Sequence, residues 1–391
     1  MSRLAGRGVT VATTLAGMLT YLNMYATQAI LPSLTAEFGV PLARTSLTVT
    51  MPLLAVALLA PFVGAISDRL GRKRLIVGAA FALTLPTLLC AAAGSFEWLL
   101  FWRFVQGVML PFVFVVTVAY IGEECDGAAM IRTTGTYAAG GIFGGFAGRF
   151  LGGLVTELAG WRMSFVVLAG VTVLGASAIG ALLPRERRFS PSAGGIRAAL
   201  GAYGEHLRNP RLLATCVVGF GMLFSNVALF TYVNFMLVLP PFGLSPGQLG
   251  LVFGVYLLGL VTTTIASRVA VRIGRRATVA AALGVSCVGL GLTLVASLPA
   301  VIMGLACVTA GLMTSQAMSL SYIGVAARRA RSAAVGVYVT IFYVGGSLGG
   351  VLPGLLWPRY GWHGVVAIIL AMLLAMFVAS LFWRDPRAAA T

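Results

Sequence analysis

The sequence predicts an all-α membrane protein, with twelve transmembrane helices in two pseudo-symmetric six-helix bundles. Three observations carry this: scarce charge, apolar runs of membrane-spanning length, and an internal repeat about two hundred residues apart. Hydrophobic residues make up 59% of the 391 positions and charged residues 9%, where a soluble domain carries about 25% charge. Crossing about 30 Å of hydrocarbon as a helix takes roughly 20 apolar residues. Only helices or closed barrels satisfy their backbone in lipid. The runs here are rich in Leu, Val, Ala and Gly and lack the two-residue alternation of barrel strands.

The twelve runs fall near 9–31, 44–66, 75–94, 97–120, 133–156, 163–184, 211–238, 247–270, 277–297, 299–322, 333–356 and 363–383. The first is too long for a cleavable signal peptide and continues the helical pattern. The net charge of +17 is a topological signal and not a nucleic-acid surface. If the helices alternate, 22 of the 27 cations lie on one side. Only Arg44, Arg162 and Arg359 lie on the other, with Arg103 and Arg149 inside helices. The positive-inside rule then places both termini in the cytoplasm of a bacterial-type inner membrane, with some attraction to anionic membrane lipid. Cys90, Cys125, Cys216, Cys287 and Cys307 show no motif spacing and read as packing residues.

One long polar stretch, about 185–210, reads as a cytoplasmic linker between bundles 1–184 and 211–391. The repeat supports that division. Gly135, Tyr137, Gly144, Gly145, Gly148, Gly153 and Gly160-Trp161 recur 201 residues later as Gly336, Tyr338, Gly345, Gly346, Gly349, Gly354 and Gly361-Trp362. Arg69-Leu-Gly71-Arg72-Lys73 recurs as Arg272-Ile-Gly274-Arg275-Arg276. The second copy has Val271 where the first has Asp68.

The first of these turns is the most informative stretch: Gly64-Ala-Ile-Ser-Asp68-Arg69-Leu-Gly71-Arg72-Lys73-Arg74. Two glycines are expected to let the backbone reverse there. The pattern resembles the signature between helices two and three of the major facilitator superfamily of transporters, and the resemblance spans essentially the whole chain. It implies two parallel six-helix halves with a substrate site near the midplane between them. It also implies a gate built from Gly64, Asp68, Arg69, Gly71, Arg72 and Lys73, with Asp68 latching to the other half. The alternative for Asp68 is a solvated loop carboxylate. The cluster Glu123-Glu124-Cys125-Asp126 could pair with this turn, but a solvated loop is the preferred reading.

An ionisable group inside the membrane costs at least about 2.5–3.5 kcal/mol and is a functional candidate by default. Arg103, Gln106 and Gly107 share one face of the fourth helix. R-x-x-Q-G there resembles a second superfamily motif in which the arginine is implicated in proton coupling; otherwise Arg103 snorkels to the interface. The fifth helix carries glycine ridges Gly140-Gly144-Gly148-Gly152 and Gly141-Gly145-Gly153, which permit close helix approach. They resemble the fifth-helix motif of drug exporters, without its Gly-Pro. Arg149 interrupts the second ridge, so it either projects into the cavity as a cationic substrate contact or snorkels and pairs with Glu157 or another periplasmic carboxylate.

All ten acidic residues fall in loops or at helix ends, which favours anionic or neutral substrates over cations. Further cavity candidates are a Tyr21, Tyr25, Gln28 stripe on the first helix, with Asn23 pointing the other way, and Asn226, Phe230 and Asn234 on the seventh. Gln316, beside Ser319 on the tenth, completes the set. Interhelical hydrogen bonding is the alternative for each polar member.

No P-loop, metal-ligand spacing or nucleophile motif appears, so neither cofactor nor metal is expected and an enzyme is disfavoured. The expectation is proton-coupled efflux of a small molecule by a monomeric antiporter working through alternating access. The alternative is uptake or facilitated diffusion of an organic anion.

Overall fold

A computed structural model describes residues 3–187, 204, 206–327 and 331–383. Most of the expected linker, 188–203 and 205, lies outside the described residues. The helices are α1 (Arg3–Met24), α2 (Leu47–Leu70), α3 (Arg72–Ala91), α4 (Phe96–Glu124), α5 (Gly127–Ala159) and α6 (Trp161–Leu182). Then follow α7 (Pro210–Val238), α8 (Pro246–Ile273), α9 (Arg275–Leu292) and α10 (Leu298–Ala326). The last helical stretch, Arg331–Ser380, breaks at Gly361, where φ is 52° and ψ is −137°. It therefore comprises α11 (331–360) and α12 (361–380). No strand occurs among the described residues.

Ten segments among the described residues are long and apolar enough to cross a membrane. The tenth of these contains both α11 and α12, and α1, diluted by its threonines, completes the expected twelve. Local chemistry sets several helix starts. Ser95 accepts the Trp98 amide at 3.3 Å, and Asn209 accepts those of Arg211 and Leu212 before Pro210 opens α7. Ser245 and Gln248 form a capping box at α8, satisfying amide donors that a helix start leaves open.

Contacts divide the chain into two compact units. The first comprises Met1–Pro41, Met51–Ile196 and Ser245–Phe253; the second comprises Leu42–Thr50, Arg197–Leu244 and Gly254–Thr391. In the first unit, apolar residues of α1, α2, α3, α4 and α6 form one core around Val9, Leu19, Val63, Ile76, Val116 and Ile179. In the second, α7 is the most enclosed helix.

The repeat is a packing repeat. In the first unit, a Cβ at Gly144 or Gly148 would run into the backbone of Met18 or Leu22 on α1. In the second, Gly345 and Gly349 lie in the same way against Phe220 and Phe224 on α7. The Tyr137 ring covers Gly17, and the Tyr338 ring covers Gly219. Gly140 and Gly152 continue the first ridge against Thr14 and Ala26. Such contacts replace side-chain packing with backbone approach, which suits association in lipid.

Two expectations need correction. The reversal after α2 uses one glycine, not two: Gly71 takes φ of 84°, while Gly64 is exposed within α2. Asp68 and Arg69 are therefore last-turn helical residues. The run 9–31 is also not one helix. The chain leaves α-helical geometry after Met24, passes a 3-10 turn at Gln28–Ile30 and resumes as a helix at Leu31–Phe38.

Candidate functional site

The break after α1 has an identifiable cause in a buried arginine. Arg103 is fully buried in α4, and its Nη1 donates to the Asn23 carbonyl at 2.9 Å and to Gln106 Oε1 at 2.7 Å. Its Nη2 donates to the Met24 carbonyl at 2.7 Å. These are carbonyls that a helix C-terminus leaves without an intrahelical donor, and a cation there also complements the helix dipole. Arg103 does not snorkel.

A polar network continues from this clamp. Gln106 Nε2 donates to Thr87 Oγ1 at 2.8 Å, and Thr87 Oγ1 lies 3.2 Å from Asn23 Oδ1. Asn23 Nδ2 reaches Thr172 Oγ1 at 3.0 Å. Asn23 thus turns toward α3 and α6, away from Tyr25, as expected. Gly107 serves a separate contact: a Cβ there would strike Pro52 and Ala55 of α2.

Beyond the break, Tyr25 and Gln28 converge on Arg149. The Tyr21 and Tyr25 rings stack with centres 6.3 Å apart, as the expected stripe requires, while the turn after Met24 delivers Gln28. Arg149 is fully buried. Its Nε donates to Gln28 Oε1 at 2.7 Å and its Nη1 to the Gly145 carbonyl at 2.5 Å. The guanidinium carbon sits 4.2 Å from the Tyr25 ring centre and 5.0 Å from that of Phe253. The second glycine ridge makes room for this: Gly141 abuts the Tyr21 ring, and Gly145 abuts the Arg149 side chain. Each desolvated cation–π contact is worth about 2 kcal/mol.

Glu157, the carboxylate expected as an alternative partner for Arg149, is engaged elsewhere. Its Oε2 accepts from Ser245 Oγ at 2.7 Å and from the Gly247 amide at 2.8 Å. It thereby fixes the start of α8 on α5.

In the second unit, Asn226 and Phe230 meet Tyr256 from the 3-10 stretch of α8 (Phe253–Leu258). Tyr256 donates to Asn226 Oδ1 at 2.7 Å, and its ring centre lies 4.5 Å from that of Phe230. Asn226 Nδ2 is buried with no hydrogen-bond partner among the described residues. Asn234 folds onto its own helix, donating to the Phe230 carbonyl at 2.6 Å. Tyr232, elsewhere on α7, donates to the Gly350 carbonyl at 2.7 Å. Ser319 ties α10 to α7 through the Thr215 carbonyl, while Gln316 is half-buried.

The charged turn is a closed ionic cluster within the first unit. Arg72 contacts Asp68 at 2.7 Å and Glu123 through Nη2 at 2.6 Å and Nε at 3.1 Å, and it also donates to Ser67. The preferred reading of Glu123 as solvated loop is thus corrected: α4 continues to Glu124, so Glu123 is held helically against Arg72. Glu186 covers the start of α3, accepting from the Arg72 and Lys73 amides at 3.1 and 3.3 Å. Glu124 accepts the Arg187 amide at 2.7 Å. Arg69 is exposed and Lys73 half-buried. In the second copy, Gly274 takes the same φ of 84°, and Arg275 reaches Ser321 of α10 at 3.1 Å.

Comparison with known proteins matches residues 13–239 and 227–391 to the Major Facilitator Superfamily. The chain belongs to the major facilitator superfamily. Among its relatives, the inner membrane transport protein YnfM of Escherichia coli (strain K12) is 32% identical over 379 residues, 96% of this chain and 90% of that protein. The MFS-type transporter YybF of Bacillus subtilis (strain 168) is 31% identical, covering 94% and 91%. A bacterial homologue of the human lysosomal transporter Spinster, in an inward-facing and unoccupied conformation, superposes with a TM-score of 0.79 at 15% identity, covering 98% and 97%.

Several partners in this major facilitator protein carried no signal in the sequence. Phe253 and Tyr256 belong to an aromatic-rich apolar run, and nothing marks them as lining a polar group. Glu186 lies after α6, 114 residues from the amide that it accepts.

Proposed function

We propose that this transporter moves a small anionic or neutral organic solute by alternating access, as a monomeric, proton-coupled exporter of the inner membrane. Both termini are cytoplasmic, and bundles 1–184 and 211–391 are joined by a linker at 185–210. The single observation that carries the substrate preference is the Arg149 cage. A guanidinium within 5.0 Å of two aromatic ring centres, hydrogen-bonded to the neutral Gln28 amide, is set to exchange that amide for a carboxylate or sulfonate. Cationic substrates lack a carboxylate to meet them.

Efflux is supported by relatives named multidrug resistance protein B homolog in Mycobacterium tuberculosis, 30% identical over 175 residues, 44% of this chain and 32% of theirs. Proton coupling rests on the R-x-x-Q-G resemblance at Arg103, Gln106 and Gly107. Gating rests on the turn from Gly64 to Lys73. A second reading, uptake or facilitated diffusion of an organic anion, rests on the same cage.

The test is internal pH in proteoliposomes on addition of anionic, neutral and cationic amphiphiles. Anions or neutral compounds are expected to move protons, and Arg149→Ala to abolish the response. Exchange of cations for protons overturns the substrate assignment. Solute flux without proton movement overturns the coupling.

A further inference from the structure

A groove of about 740 Å3 opens at the start of α3, lined by Arg69, Leu70, Gly71, Lys73, Arg74, Val77, Gly78, Arg185 and Glu186. Its charge balance is set by how the neighbouring acids are used. Asp68 and Glu123 both contact Arg72, and Glu186 gives its two oxygens to the α3 amides. Arg69, Lys73, Arg74 and Arg185 line the groove without an ion pair among the described residues, against the one carboxylate of Glu186, so cations outnumber acids there four to one. The remaining wall is apolar: Leu70, which is exposed, with Val77 and Gly78 of membrane-spanning α3.

We propose that this groove binds an anionic phospholipid. The phosphate ester sits among the four cations and an acyl chain runs along Val77 and Gly78. Two features select a lipid over a soluble phosphate. The cations lie where a helix of membrane-spanning length begins, and Val77 and Gly78 of that helix extend the groove wall with apolar surface. Each basic residue beside an anionic membrane surface strengthens association about fivefold. Four of them in one groove distinguish an anionic from a zwitterionic headgroup. The groove shares Arg69, Gly71 and Lys73 with the proposed gate and uses no part of the Arg149 cage.

The experiment uses full-length protein in non-ionic detergent and native mass spectrometry to follow bound lipid. Phosphatidylglycerol and phosphatidylcholine with identical chains are titrated separately, and glycerol phosphate is added as a soluble competitor. Phosphatidylglycerol is expected to bind at least tenfold more tightly than phosphatidylcholine. The double substitution Arg74→Gln with Arg185→Gln should weaken it about 25-fold, two cations at about fivefold each. Arg74→Lys with Arg185→Lys should retain it, which separates lost charge from lost fold. Equal affinity for the two lipids, or an unchanged affinity in the glutamine variant, overturns the proposal. Displacement of phosphatidylglycerol by equimolar glycerol phosphate also overturns it, because the site would then read the free phosphate and not the lipid.

Discussion

Arg103 Nη2 lies 2.7 Å from the carbonyl oxygen of Met24, the last residue of α1. A side chain of α4 thereby terminates α1 and sets the turn that carries Tyr25 and Gln28 to Arg149. Arg103→Lys keeps the charge but loses the planar fork that serves two carbonyls and Gln106 at once. It should destabilise the protein by about 1–3 kcal/mol, the cost of leaving one buried carbonyl unsatisfied, with Arg103→Ala costing more. Thermal unfolding in detergent checks this, and a wild-type melting temperature for Arg103→Ala would refute the clamp.

The glycine ridges give a paired test. Gly144→Ala and Gly345→Ala each place a methyl group against helix backbone, of α1 and α7 respectively. Because backbone cannot rotate aside as a side chain can, each should cost at least about 1–3 kcal/mol. Gly170→Ala on α6 meets nothing within 4 Å and should stabilise by roughly 0.5–1 kcal/mol through helix propensity. Folded yield by fluorescence-detected size exclusion ranks the three. The packing repeat fails if Gly144→Ala and Gly170→Ala behave alike.

Arg72 is shared between Asp68 and Glu123, so these two carboxylates should be energetically coupled. Asp68→Asn and Glu123→Gln should each cost about 1 kcal/mol, because the pairs are partly exposed. Their double mutant should differ from the sum by about 0.5 kcal/mol or more, as expected for groups in one network. Additive melting shifts would mean that the two carboxylates act independently.

Glu37 sits in the helix after the break and pairs with Arg162 at 2.6 Å. The hydrogen bond from Arg162 holds its carboxyl below the ordinary 4.5, against a smaller opposing effect of burial. A depressed folded-state pKa stabilises the protein above the unfolded value and loses that effect as pH falls through the folded value. Stability should therefore be insensitive to this pair from pH 7 to 5 and decline below about 4.5. That part of the acid response should vanish in Arg162→Ala. Melting curves of both proteins across that range decide it.

Tyr256→Phe removes the hydrogen bond to Asn226 Oδ1 and leaves the whole amide without a partner. A loss of about 1–3 kcal/mol is expected, while Asn226→Leu with Tyr256→Phe should recover part of it. If the double variant is no better than Tyr256→Phe alone, the amide is not held by Tyr256.

What the sequence determined by itself was the membrane class, the twelve helices, the repeat and the charged turn. These follow from composition, run length and residue spacing, which are local properties read along the chain. The glycine ridges were legible because helical periodicity alone puts Gly140, Gly144 and Gly148 in one line. Their targets on α1 were not. Tertiary structure decided where the chain leaves helical geometry after Met24, since that depends on Arg103, about eighty residues further along. It also decided the environment of Arg149, whose hydrogen-bond partner Gln28 is 121 residues away. It assigned Glu123 to Arg72, where spacing alone favoured a solvated loop. The physical reason is common to all three. A buried or half-buried polar group must find a hydrogen-bonding partner, and packing, not sequence distance, determines which one is within 3 Å.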